Sequence, residues 1–112
     1  MVNRTDDRTE LLQGTLVLRT LEAMGPLHGY AIAQRLQQVS REMLRLNQGT
    51  LYPALLRLEH NGLVASKWGT TENNRKARYY SITRAGRKRL AEEAGNWERV
   101  AEMINRVLAG AF

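Results

Sequence analysis

Apolar residues fall at positions 11, 12, 16, 17, 18 and 21 of LLQGTLVLRTLEAM, from Leu11 to Met24. They cover more than one stripe of a helix and predict one buried on two sides. Gly25-Pro26 ends it, because proline cannot continue the ladder and forces the preceding residue out of the helical region. From Tyr30 to Val39, Ile32, Leu36 and Val39 recur at helical spacing with Gln34, Arg35, Gln37 and Gln38 opposite them, which predicts a short amphipathic second helix. The pattern loosens between Ser40 and Leu46. A third helix is predicted from Gln48 to His60, with Leu51, Leu55 and Leu58 as its inner stripe and Asn47 as its cap. Pro53 leaves two options, a start near Thr50 or a bend at the proline. Asn61-Gly62 closes the helix with residues that tolerate positive φ.

Two runs with strand character follow, Leu63 to Trp68 and Arg78 to Thr83, the second alternating Tyr80 and Ile82 with Tyr79 and Ser81. The polar stretch GTTENNRKA lies between them, and Asn73-Asn74 suits the turn of an antiparallel hairpin with a long basic tip. Thr83 caps a last helix in which Leu90, Ala94, Trp97, Ala101, Ile104 and Leu108 step by four, three, four, three and four. That heptad stripe lasts fewer than three full heptads, so it predicts helix-on-helix packing and not a long coiled coil.

Three helices, a hairpin and a terminal helix are the order of a winged helix-turn-helix, whose third helix enters the DNA major groove while the hairpin reaches alongside. The predicted fold is mainly α with a small β-hairpin. Residues 1–83 form the winged helix-turn-helix, with the wing at about 63–83, and residues 84–112 form a C-terminal dimerisation helix within the same compact unit. Charge agrees with this order. Between Asn73 and Leu90 stand Arg75, Lys76, Arg78, Arg84, Arg87, Lys88 and Arg89, with no acid among them. Cations in the first turn of a helix oppose its macrodipole by about 0.3 to 1 kcal/mol each, so Arg84, Arg87 and Lys88 are not there for local stability. An external anion explains them.

Composition narrows the choice further. The chain has 112 residues, room for one domain. Seventeen Lys and Arg against eleven Asp and Glu give a net charge of +6, a field that favours polyanions. The absence of cysteine excludes disulfides, thiolate metal sites and thiol catalysis, and a cytoplasmic location is expected. The opening MVNRTDDRTE has no apolar core of a signal peptide. An enzyme is not expected: His28 and His60 are the only imidazoles, neither has Asp or Cys at ligand spacing, and there is no glycine-rich phosphate loop or serine elbow. No cofactor and no metal site are expected either.

Several motifs in order carry a family resemblance: His28-Gly29-Tyr30-Ala31-Ile32, then Gly49-Thr50-Leu51-Tyr52-Pro53-Ala54-Leu55 running into Arg57-Leu58-Glu59 and Gly62-Leu63-Val64, then Arg75-Lys76-Ala77-Arg78-Tyr79-Tyr80-Ser81-Ile82-Thr83 and Gly86. The chain resembles the PadR family of transcriptional regulators over about residues 11 to 108, in particular its short-tailed members with one terminal helix. The resemblance implies a homodimeric winged helix that usually represses from an operator with inverted half-sites. It also implies release by a small aromatic or hydrophobic effector in many members. Asn74 stands where many members have glycine, and Ala77 where many have proline.

For the DNA surface, Gln48 and Thr50 are polar groups at the start of helix three, where side chains reach base edges, and Gln48 is the favoured reader. Asn47, Gly49 and Pro53 frame that helix start, and Gly49 leaves its backbone amides open to phosphate. Tyr52 faces outward with a hydroxyl for phosphate, or else packs on the neighbouring helix. Tyr30 has the same two readings, the structural one favoured. Arg57, Arg75, Lys76 and Arg78 are assigned to the phosphate backbone, for affinity and not specificity. The dimer contact is expected from Leu11, Leu12, Leu90, Ala94, Trp97, Ala101, Ile104 and Leu108, widened by Val100, Met103 and Val107. Trp97, between two alanines, either lines a slot for a planar aromatic effector or fills the dimer core. Trp68 is expected to pack. The rival readings are a sequence-neutral nucleic-acid-binding protein and a winged-helix module that binds a protein.

Overall fold

Capping groups set most of the element boundaries. The computed structural model describes residues 4–110 and 112, and for residues 4–12 and 48 it describes the backbone alone. Its order is α1 (Arg4–Met24), β1 (Leu27–His28), α2 (Gly29–Val39), α3 (Gln48–His60), β2 (Val64–Thr70), β3 (Lys76–Ile82) and α4 (Arg84–Leu108). No helix of the described residues is long and apolar enough to cross a membrane. Helix α1 starts earlier than the apolar pattern predicts. Leu11 and Leu12 lie on it, and their side chains fall outside the described residues.

Helix α2 is capped by His28, whose Nδ1 accepts from the Ala31 amide at 3.3 Å. Helix α3 runs from Gln48 to His60 with Pro53 inside it, so the start near Thr50 is not taken. Asn47 caps it by accepting from the Thr50 amide at 3.0 Å. Pro53 lies in the second turn, where its missing N–H leaves only the Gly49 carbonyl without its i+4 donor. Thr83 caps α4, its hydroxyl accepting from the Gly86 amide at 3.0 Å while donating to the Gly62 carbonyl at 2.7 Å.

The sheet has three antiparallel strands in the order β1-β3-β2. Strand β1 was not expected. It consists of two residues, pairing Leu27 with Tyr80 and His28 with Tyr79, too short to display alternation in sequence. The hairpin strands run further toward the tip than predicted, pairing as far out as Thr70 with Lys76. This shortens the turn to residues 71–75. The Thr71 amide donates to the Arg75 carbonyl at 2.8 Å, and Asn74 takes a φ of 63°, as its residue type allows.

The core joins Val17, Leu18 and Leu21 of α1, Ile32 and Leu36 of α2, and Leu51, Leu55 and Leu58 of α3 to Leu63, Val64, Tyr80 and Ile82 of the wing. Leu90 belongs there too, only 5% exposed, and this corrects its expected place in the dimer contact. At that height α4 is still docked on its own chain. Beyond it α4 leaves the core. The radius of gyration is 15.7 Å, against about 13 Å for a compact domain of this length, as a projecting helix requires.

Candidate nucleic-acid interface

The start of α2 and the body of α3 meet at one close contact at a glycine. A Cβ on Gly29 would sit 3.3 Å from the ring of Tyr52, so the bare backbone lets the tyrosine of α3 lie against the first turn of α2. Tyr52 remains 43% exposed, so both readings of it hold at once: its ring packs and its edge faces solvent. Tyr30 is 61% exposed and stacks on His28, with ring centroids 6.5 Å apart. Its ring thus both touches the α2 cap and faces solvent.

Between these residues and the hairpin runs an open cleft of about 890 Å³. One wall carries His28, Tyr30 and Tyr52, and the other Trp68, Lys76 and Arg78. Arg75 also lines it, and Glu72 is the one carboxylate among its lining residues. Five of the expected DNA-binding residues therefore converge here: Tyr30, Tyr52, Arg75, Lys76 and Arg78. Of the expected residues at the start of α3, Asn47, Gly49, Thr50 and Pro53 do not line this cleft. Asn47 is engaged as the cap, and the Thr50 hydroxyl donates back to the Asn47 carbonyl at 3.1 Å. Gly49 and Pro53 are exposed. Gln48 opens α3, and its side chain lies outside the described residues.

Arg57 is exposed on another side of α3, lining a recess of about 270 Å³ with Arg89 and Glu93 of α4 and Thr15 of α1. It is not part of the wing cleft. Trp68 corrects a second expectation. It is 66% exposed, and the Arg78 guanidinium lies over its ring, 5.2 Å from the centroid. Its face of the hairpin continues past the core, so the indole has a cation above it instead of aliphatic neighbours.

Tyr80 forms the floor of the cleft at 3% exposure. Burial pushes its phenol above the usual value of 10.0; Arg78 opposes the rise, and Glu59 and Tyr52 add to it. The folded state therefore favours the neutral phenol. Its contribution to stability is complete below pH 10 and is lost as pH climbs from 10 through the folded value. The difference in phenolate absorbance between the parent protein and Tyr80→Phe should show a midpoint above pH 10. A midpoint at or below 10 would contradict the buried, neutral assignment.

Four helices around a three-stranded antiparallel sheet, with a hairpin beside an exposed helix start, define a winged-helix protein of the kind that regulates transcription. The family model "Transcriptional regulator PadR-like family" matches residues 17–92. The chain belongs to that family, and it is a regulator and not an enzyme. It is 40% identical over 68 residues to "Transcriptional regulator Rv3488" of Mycobacterium tuberculosis, covering 61% of this chain and 63% of that one. It is 44% identical over 89 residues to an uncharacterized 37.1 kDa protein in transposon TN4556 of Streptomyces fradiae, covering 80% of this chain and 24% of that protein. The chain thus spans about a quarter of one of these relatives and under two thirds of the other. A solved transcriptional regulator from Clostridium thermocellum superposes with a TM-score of 0.74 at 32% identity, over 83% of this chain and 89% of that one.

Proposed function

We propose that two copies of this chain bind an inverted-repeat operator in the cytoplasm and repress transcription from it. The winged helix through Thr83 reads the duplex, and the helix that follows pairs the subunits. Gln48, at the start of α3, reads base edges with Thr50 beside it, because that helix start is exposed and its capping residue is already satisfied internally. Tyr30 and Tyr52 donate hydroxyls to one backbone strand, and Arg75 and Lys76 neutralise phosphates from the wing.

The observation that carries this reading is the cleft itself, where exposed tyrosines face two tip cations across a gap open to solvent. Pairing is supported by the free part of α4. Trp97 is 61% exposed and Leu108 79%, with Val100, Met103, Ile104 and Val107 exposed beside them. A row of large apolar side chains on a projecting helix requires a partner, and a second copy supplies an identical row across a two-fold axis. Half-buried Ala94 and Ala101 flank Trp97 along the helix, which gives the pair room for a planar aromatic effector against the indole.

Selection from random duplexes tests the reading. The winning sequence should be an inverted repeat bound about a thousandfold or more tighter than random DNA. Repeating the selection with planar aromatic compounds should release it. A ratio near one would leave a sequence-neutral binder, and undiminished function after Arg75→Ala and Lys76→Ala together would leave a protein-interaction module.

A further inference from the structure

One set of contacts ties the hairpin directly to α3. Glu59 lies in the last turn of α3 with its side chain 31% exposed. One carboxylate oxygen accepts the hydroxyl of Ser66 on β2, and the other faces Arg78 Nη1 on β3 at 3.8 Å. Arg78 also covers the ring of Trp68, and these two residues are direct register partners across the hairpin. The guanidinium is thus held between a carboxylate of α3 and an indole of β2. Two residues inward, on the same face, the ladder pairs Ser66 with buried Tyr80, and from Arg78 outward it is a bare two-stranded ribbon. Such a ribbon holds no fixed angle by itself.

We propose that Arg78 is a strut that fixes the wing on α3 and not a phosphate contact, with Glu59 and Trp68 as positioning residues for DNA binding. The proposal rests on the DNA-binding reading above and revises the part played by one wing cation. A cation already matched by a carboxylate brings no net positive charge to a duplex, and turning it toward phosphate would leave Glu59 facing the same backbone. Arg75 and Lys76 differ, since they form no ion pair among the described residues. The strut instead sets the separation between the helix start that enters the major groove and the tip that meets the adjoining backbone. Because duplex geometry is fixed, that separation governs how well both contacts form together on the correct site.

The experiment compares the parent protein, Arg75→Ala, Arg78→Ala, Glu59→Gln and the Glu59→Gln/Arg78→Ala double variant on a selected duplex and on random DNA across a range of salt. Glutamine keeps an acceptor for Ser66, so Glu59→Gln preserves the fold while removing the charge, and thermal melting checks this. Arg75→Ala should lower the slope of log affinity against log salt by about 1.8, one phosphate from each of the two subunits. Arg78→Ala and Glu59→Gln should leave the slope unchanged while each weakens the selected duplex by about tenfold more than random DNA, and the double variant should be no weaker than either single one. A slope lowered by Arg78→Ala as much as by Arg75→Ala would overturn the proposal, as would tighter binding by Glu59→Gln. A parent protein without salt-dependent binding would instead overturn the DNA-binding reading on which it rests.

Discussion

Replacing Gly86 with alanine is expected to lower the melting temperature by about 15 °C, although alanine is the better helix former by about 1 kcal/mol. Gly86 is in the first turn of α4, where its amide donates to the capping Thr83 hydroxyl. The same threonine donates its own amide to the Leu63 carbonyl at 3.1 Å, so the helix start is pressed onto the turn between α3 and β2. A Cβ at this position would lie 2.1 Å from the Leu63 carbonyl oxygen and 2.8 Å from Ile82 Cγ1. The first neighbour is backbone, which no rotamer change can move aside. Overpacking commonly costs about 1 to 3 kcal/mol and occasionally more, and a backbone clash belongs at the upper end. Melting followed by circular dichroism at fixed protein concentration measures the loss. A variant as stable as the parent would mean that α4 does not dock there.

Ile104→Glu is expected to separate the subunits while leaving each chain folded. Ile104 is 45% exposed on a single chain, so a glutamate there costs the isolated fold little, yet it would place two carboxylates against each other at a two-fold seam. The mass in solution should fall to 12.8 kDa, that of one chain. Affinity for a two-half-site duplex should drop by about 100-fold or more, because the second half-site is then no longer bound intramolecularly. Arg106→Glu brings the same charge to an exposed position on the far side of α4 and serves as the control. Equal behaviour of the two variants would contradict a seam along Trp97, Ile104 and Leu108.

The parts of the fold that were legible in the sequence are those closed by local chemistry. Asn47 and Asn61-Gly62 bracket α3, Thr83 opens α4, and Asn74 makes the hairpin turn, because each uses a group that satisfies the backbone within a few residues. What was not legible depends on neighbours distant in sequence. Strand β1 exists only because Tyr79 and Tyr80 offer it an edge. The outer hairpin pairs, Gly69 with Ala77 and Thr70 with Lys76, carry no large apolar side chain, so the ladder extends past the apolar pattern that marked the strands. Leu90 fits the heptad arithmetic as well as Ile104 does, but periodicity names a face without saying what covers it. For Leu90 the cover is its own core. Trp68 shows the converse, a large ring on a face that runs out beyond the core.

The site was legible in type more than in placement. The basic run marked the wing, and Tyr30, Tyr52, Arg75 and Lys76 do converge on one cleft. Arg57 was assigned by distance along α3 and lies instead in the recess toward α1 and α4. The link from Glu59 to Ser66 and Arg78 spans three elements, and no local pattern announces it.

The most direct measurement is the stoichiometry and protection pattern of the protein on its selected duplex. Two chains per duplex are predicted, with two symmetric protected half-sites centred about one helical turn apart. One chain bound at full affinity over a single protected half-site would contradict the paired reading head.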